Sequence, residues 1–164
     1  MIEVRRAREG DDLRAIGDIY VRSWQAAYQG LVPQEFLDAL SVDRWVGAFE
    51  KGMNPACLLI EDGRFIGTSS LRSGRDAGME DMGEIVSIYL LPEYYGRGLG
   101  RMLIDAVEAE LRKMGFEMLY LWVLRDNARA RRFYEKAGFV PSGDERTIEI
   151  GGAALEEVRY VKAR

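Results

Sequence analysis

Histidine is absent from the 164-residue chain. That single absence removes Ser-His-Asp and Cys-His nucleophilic systems and the common histidine-based zinc sites together. Proton transfer is left to carboxylates, tyrosines, lysines or water, and no metal site is expected. Cysteine occurs once, at Cys57, so an intramolecular disulfide is excluded. Flanked by Leu58 and Leu59, this thiol reads as a buried structural group and not as a nucleophile. A surplus of positive charge is also missing. The formal net charge is -4, which offers no global field for nucleic acid and mildly suits cationic substrates. No apolar run approaches the roughly 20 residues that span a bilayer, so no membrane partner is expected. The opening Met1-Ile-Glu-Val-Arg-Arg has neither an apolar core nor small cleavage-like residues, and a soluble cytoplasmic protein is the expectation.

What is present is enough apolar material, 48% of residues, for one core and too little length for two ordinary domains. A single domain over residues 1–164 follows. Ile2 to Arg6 alternates apolar and charged residues as a short strand does. Asp11 or Asp12 caps a helix whose stripe is Leu13, Ile16, Ile19, Tyr20 and Trp24, running to about Tyr28 or Gly30. Pro33 starts a short second helix, and Ser41 caps a third that stops at Gly52. Cys57 to Glu61 and Phe65 to Leu71 form a hairpin around Asp62-Gly63. Arg72 to Gly83, with three glycines, reads as an exposed, mobile loop bordering a substrate site.

The densest signal is Glu84-Ile-Val-Ser-Ile-Tyr-Leu-Leu-Pro-Glu-Tyr-Tyr-Gly-Arg-Gly-Leu-Gly-Arg101. A strand pattern enters a loop with glycine at 96, 98 and 100, and a helix carrying Leu99, Leu103, Val107 and Leu111 follows. Glycines allow close backbone approach and a helix N-terminus offers free N–H groups, so the loop reads as an anion cradle. Gly115 ends that helix, and Met118 to Leu124 is an apolar strand, which makes a parallel strand-helix-strand unit with right-handed crossover. Asp126 or Asn127 caps a further helix that stops at Gly138, and Thr147 to Tyr160 folds as a terminal hairpin around Gly151-Gly152.

Three phosphate-loop readings compete. The Gly-x-x-x-x-Gly-Lys-Ser/Thr of nucleotide-hydrolysing enzymes is not found. A dinucleotide loop wants Gly-x-Gly-x-x-Gly, and Arg101 stands where its third glycine belongs. The third is a family resemblance. Gly98-Leu99-Gly100 matches the second half of the Gln/Arg-x-x-Gly-x-Gly/Ala signature of the GNAT superfamily of N-acetyltransferases, with Tyr95 in the Gln/Arg slot. Downstream, Asn127, Ala130, Phe133, Tyr134, Gly138 and Phe139 match that family's Asn-x-x-Ala-x-x-Phe-Tyr-x-x-x-Gly-Phe segment, and Val21 to Pro33 is similar to a common bacterial branch.

The resemblance implies an α/β fold: a mixed, centrally splayed sheet of about seven strands with helices on both faces. It implies acetyl-CoA as co-substrate, with pyrophosphate on the N–H groups of Arg97, Gly98, Leu99, Gly100 and Arg101. The pantetheine arm would lie along Ile88, Tyr89 and Leu90, and Asn127 and Tyr134 would contact the cofactor. Arg125, Arg129, Arg131, Arg132 and Lys136 are available for the adenosine phosphates or as a solvated helix face. The reaction implied is N-acetylation of a primary amine on a small molecule or peptide by direct attack in a ternary complex. Tyr134 is the implied general acid. Glu84 is read either as general base or anchor of a water chain, or as a solvated strand-end carboxylate. Trp24, Tyr28 and Tyr89 are candidate acceptor walls. A silent acyl-CoA-binding or regulatory module of the same fold stays as the alternative, and a homodimer is left open.

Overall fold

A computed structural model describes residues 1–52 and 57–164. Asp12 accepts hydrogen bonds from the N–H groups of Arg14 and Ala15 and so starts α1, Leu13–Ala27, which Tyr28 closes. Two shorter helices follow, α2 at Gln34–Asp38 and α3 at Val42–Glu50, the latter capped by Ser41. Strands β1 (Ile2–Arg6), β2 (Cys57–Glu61) and β3 (Arg64–Ser73) pair antiparallel. Asp62 and Gly63 both take positive φ between β2 and β3, as a tight two-residue hairpin turn requires.

Next come β4 (Gly83–Leu90), α4 (Leu99–Lys113), β5 (Met118–Leu124), α5 (Ala128–Lys136), β6 (Val140–Ile150) and β7 (Ala153–Ala163). The seven strands form one sheet in the order β1-β2-β3-β4-β5-β7-β6. Alternation along β2 shows the layers. Leu58 and Ile60 pack with Ile16 and Tyr20 of α1, while Cys57 and Leu59 join Leu103, Ile104, Val107 and Leu111 of α4. Burying each of those α4 side chains contributes about 1.5–3 kcal/mol, so the apolar stripe, and not helix propensity, holds α4 in place.

The site is positioned by how β4 meets β5. The two are parallel, and they pair only at Gly83 with Leu119 and Glu84 with Tyr120. Gly83 makes that approach possible, because a Cβ there would stand 2.9 Å from Leu119 Cδ2 and 3.1 Å from Leu111 and Phe116. Immediately afterwards β4 carries one residue more than β3: Leu71 pairs with Ile85 and Ser70 with Ser87, leaving Val86 as a bulge. A bulge bends its strand and increases its twist. From Val86 onward β4 stays with β3 while β5 stays with β7, and the sheet splays.

The segment expected to be an exposed loop is one over residues 74–82. β3 extends to Ser73, and the residues beyond it are tied down: Gly74 donates its N–H to the Met82 carbonyl, and Asp76 accepts from Trp122 Nε1 at 2.8 Å and from Arg146. Residues 74–82 are still a loop, as the glycines and charges suggest; Arg75 and Asp76 are held by partners on β4, β5 and β6, while Glu80 and Asp81 stay exposed.

Candidate active site

The splay opens a cleft of about 870 Å³ whose floor is the free edge of β4. Val86, Ser87, Ile88, Tyr89 and Leu90 line one side and Trp122, Val123 and Leu124 of β5 the other. An unpaired strand edge is a row of backbone donors and acceptors, suited to an extended, amide-bearing guest.

The cleft ends in the glycine loop. Gly98 takes φ 76°, a left-handed conformation that costs an L-side chain about 1–2 kcal/mol, and it sits at the N-cap of α4. No side chain caps that helix, and its first backbone bond is Met102 N–H to Gly98 C=O, so the N–H groups before Met102 are left for an anion. Gly98, Leu99, Gly100 and Arg101 line the cleft. Arg97 is not among the lining residues, and its guanidinium, as distinct from the backbone N–H that the resemblance assigns to the pyrophosphate, turns to Glu61, 2.6 Å distant, and over the Tyr94 ring.

The basic cluster of α5 divides. Arg129, Arg132 and Lys136 face the cleft, whereas Arg131 is spent on Tyr160 Oη and the Arg125 carbonyl, and Arg125 pairs with Asp126. With Arg101, three α5 cations surround the loop end. Tyr95, in the position where the resembling family has Gln or Arg, lies under the Arg129 guanidinium at 3.8 Å. Asn127 lines the cleft while its Oδ1 accepts from Ala130 N–H, so it is a helix cap in the wall of the site.

Tyr134 reaches the cleft from α5, its ring packed against Phe133, Phe139 and Tyr160. Burial, with the Tyr28 phenol as a smaller cause, raises its pKa, so the hydroxyl is protonated at neutral pH. Opposite stand Trp24, Tyr28 and Tyr89, with Trp24 Nε1 donating to Tyr89 Oη at 3.0 Å. Burial raises the Tyr89 phenol strongly as well.

Glu84 is not a solvated strand end. It is buried, only 1% exposed, at the last parallel pair before the splay. Oε1 accepts from Arg75 N–H, Arg75 Nε and Tyr120 Oη, and Oε2 from Arg75 Nη2 at 2.8 Å. Burial pushes its pKa up, but the Arg75 hydrogen bonds and charge outweigh that and hold it below the usual carboxylate range. Glu84 itself does not line the cleft; its partner Arg75 does.

Sequence reasoning missed the far wall, made by Arg146, Ile148 and Ile150 of β6 and Glu157 of β7. Arg146 lies opposite Glu157 and Ile148 opposite Leu155, so these side chains share one face. The alternating pattern of the hairpin identified the strands without saying which face met the site. Cys57 is buried in the α4 layer, its thiol pushed up to about 11 by burial, so it is unreactive at neutral pH. Among the described residues no cluster suited to a metal ion is found, and no helix is long and apolar enough to cross a membrane.

Residues 13–139 match the model of the acetyltransferase (GNAT) family. The N-acetyltransferase YuaI of Bacillus subtilis is 31% identical over 163 residues, covering 96% of this chain and 91% of its own length. An N-acetyltransferase of Mycobacterium tuberculosis is 38% identical over 103 residues, 63% of this chain and 62% of the relative, so the chain spans less than two thirds of that protein. Among solved structures, YncA of Salmonella typhimurium with its cofactor acetyl-CoA superposes with a TM-score of 0.73 at 21% identity, covering 99% of this chain and 93% of that one.

Proposed function

Because the chain belongs to the acetyltransferase (GNAT) family, we propose that it moves the acetyl group of acetyl-CoA directly onto a primary amine, both substrates being bound at once in the β4–β5 cleft. The observation that carries this reading is the continuity of the cleft: an unpaired strand edge leads without a break into a helix N-terminus ringed by Arg101, Arg129, Arg132 and Lys136. The edge suits the two amides of a pantetheine arm, and the loop with its cations suits a pyrophosphate and a further phosphate. The acyl donor supplies an activated thioester carbonyl. Residues 1–164 act as one catalytic domain in this reading, and the cytoplasm, where thiols stay reduced, is the compartment proposed for it.

The chain's own residues account for the remaining steps. A backbone N–H of β4 near Ile88 polarises the thioester oxygen. As the amine forms the new C–N bond and the C–S bond breaks, Tyr134 gives its proton to the departing thiolate. It recovers a proton from the nitrogen, and the other ammonium proton goes to solvent. The unperturbed gap between a phenol near 10 and a thiol near 8.5 makes this donation uphill by about 2 kcal/mol. Burial in the same cleft raises both acids, so the gap is not widened by the full Tyr134 shift. Keeping a lysine-like amine neutral at pH 7 costs about 4.6 kcal/mol. Glu84 enters as the anchor of that proton path and not as its direct acceptor, since both its oxygens are occupied and its bound Arg75 is what faces the cleft.

Thiol release from acetyl-CoA across a panel of primary amines, with both substrates varied, tests the reading. Intersecting initial-velocity lines are expected. Parallel lines would require an acetyl-enzyme, which the buried, high-pKa Cys57 gives no means of forming.

A further inference from the structure

Outside the cofactor end of the cleft lies a charge arrangement that the transfer chemistry leaves unused. Glu157 is the one acidic residue among the described residues that line the cleft. It stands on β7 between Leu124 of β5 and Arg146 of β6, on the face that meets α1, and its side chain is 13% exposed. One of its oxygens, Oε1, accepts from Arg146 Nε at 2.8 Å; Oε2 has no hydrogen bond from another described residue. A half-satisfied carboxylate in a largely enclosed wall is costly unless something else completes it.

The surrounding charges do not complete it. Arg146 is shared between Glu157 and Asp76, and Arg75 is committed to Glu84. Around this end of the cleft three carboxylates therefore meet two guanidiniums, while neighbouring Arg159 is matched by Asp144. One negative charge is left over, and Glu157 is the member of the set that faces the cleft. Tyr28 is close by in the same wall: burial raises its phenol, the Tyr89 hydroxyl lowers it in part, and the charge of Glu157 is a smaller raising cause. The other walls here are apolar, with Ile148, Ile150 and Leu124 packed in one cluster with Trp24 and Tyr28.

We propose that Glu157 is the acceptor-binding residue, its free carboxylate oxygen receiving the ammonium of a cationic primary amine whose neighbouring carbon skeleton is apolar. This rests on the transferase reading above. An ammonium at Oε2 supplies the missing donor, neutralises the surplus charge and places its nitrogen in the cleft that Tyr134 also lines. Arg75 and Arg146, the arginines that line this end of the cleft, are matched by carboxylates, so an acceptor bearing its own carboxylate beside the amine has no free guanidinium to meet it here and is disfavoured.

The test is a comparison of wild type, Glu157→Gln and Glu157→Asp on a panel of alkylamines, arylalkylamines, amino-acid amides and free amino acids, with thiol release as the readout. The panel amine with the highest kcat/KM should be an alkyl- or arylalkylamine. Its KM should rise about 10- to 100-fold in Glu157→Gln, with kcat changed less than threefold, and recover partly in Glu157→Asp. Calorimetric CoA affinity should stay within twofold in both variants, which also shows that they fold. An unchanged amine KM in Glu157→Gln, or a preference for free amino acids over their amides, would overturn the assignment while leaving the transferase reading intact. If wild type binds CoA and acetylates no amine of the panel, the transferase reading fails and this inference falls with it.

Discussion

The guanidinium of Arg129 lies 3.8 Å from the centre of the Tyr95 ring, and both residues line the cleft. Tyr95 belongs to the loop after β4 and Arg129 to the first turn of α5, so the stack bridges the two walls that hold the cofactor end. The tyrosine that takes the Gln/Arg slot thus supplies the positive charge at second hand: it holds a cation in place instead of being a polar contact itself.

This makes the ring, and not the hydroxyl, the part of Tyr95 that matters. Exposed cation–π pairs contribute about 0.5–1 kcal/mol and desolvated ones about 2. Tyr95→Ala should weaken CoA binding about 3- to 10-fold, while Tyr95→Phe stays within twofold of wild type. Calorimetry on the two variants checks it, and equal losses in both would assign the effect to the hydroxyl.

Glu84 should show itself through stability before it shows itself in rate. Its folded pKa is depressed below the unfolded value of about 4.3, so its contribution is fully present above that value and is lost as pH falls through the folded pKa. Acid unfolding of wild type should therefore steepen below about pH 4.3, and Glu84→Gln should flatten that limb. At neutral pH Glu84→Gln should cost about 1–3 kcal/mol, discounted because Arg75 is half exposed and can find water. Thermal melts from pH 3 to 8 measure both; a variant as stable as wild type at pH 7 would contradict the anchoring role.

Tyr134 has a protonated hydroxyl with no hydrogen bond to another described residue, which leaves it free to donate into the cleft. Tyr134→Phe keeps the ring packing against Phe133 and Phe139, so folding and CoA affinity should change little. Loss of a general acid costs about 100-fold or more in kcat. Steady-state kinetics with a fixed amine distinguishes this from a packing role, which would leave kcat within a few-fold of wild type.

Much of the fold could be read from residue patterns because the chain marks its own boundaries. Asp12, Ser41 and Asn127 cap helices, and Asp62-Gly63 and Gly151-Gly152 turn hairpins. Gly98, Gly100, Asn127 and Tyr134 could be placed in one site because each belongs to a contiguous motif that carries its own geometry. Glu157 and Arg146 could not. They meet the cleft only because β7 inserts between β5 and β6, a long-range pairing that local periodicity does not encode. Glu84 was legible as a position but not as an environment, since its burial depends on Arg75 folding back from nine residues away. Residues 74–82 are legible as a loop; the anchoring of Asp76 within it is not, because its partners Trp122 and Arg146 lie far along the chain.

The identity of the guest in the β4–β5 cleft decides the function, and calorimetric titration of the full chain with CoA, ATP and NAD measures it directly. One CoA per chain is predicted, with affinity for ATP and NAD at least tenfold weaker because neither carries the amide-bearing arm that the free edge of β4 accommodates. No binding of CoA, or tighter binding of a nucleotide that lacks pantetheine, would contradict it.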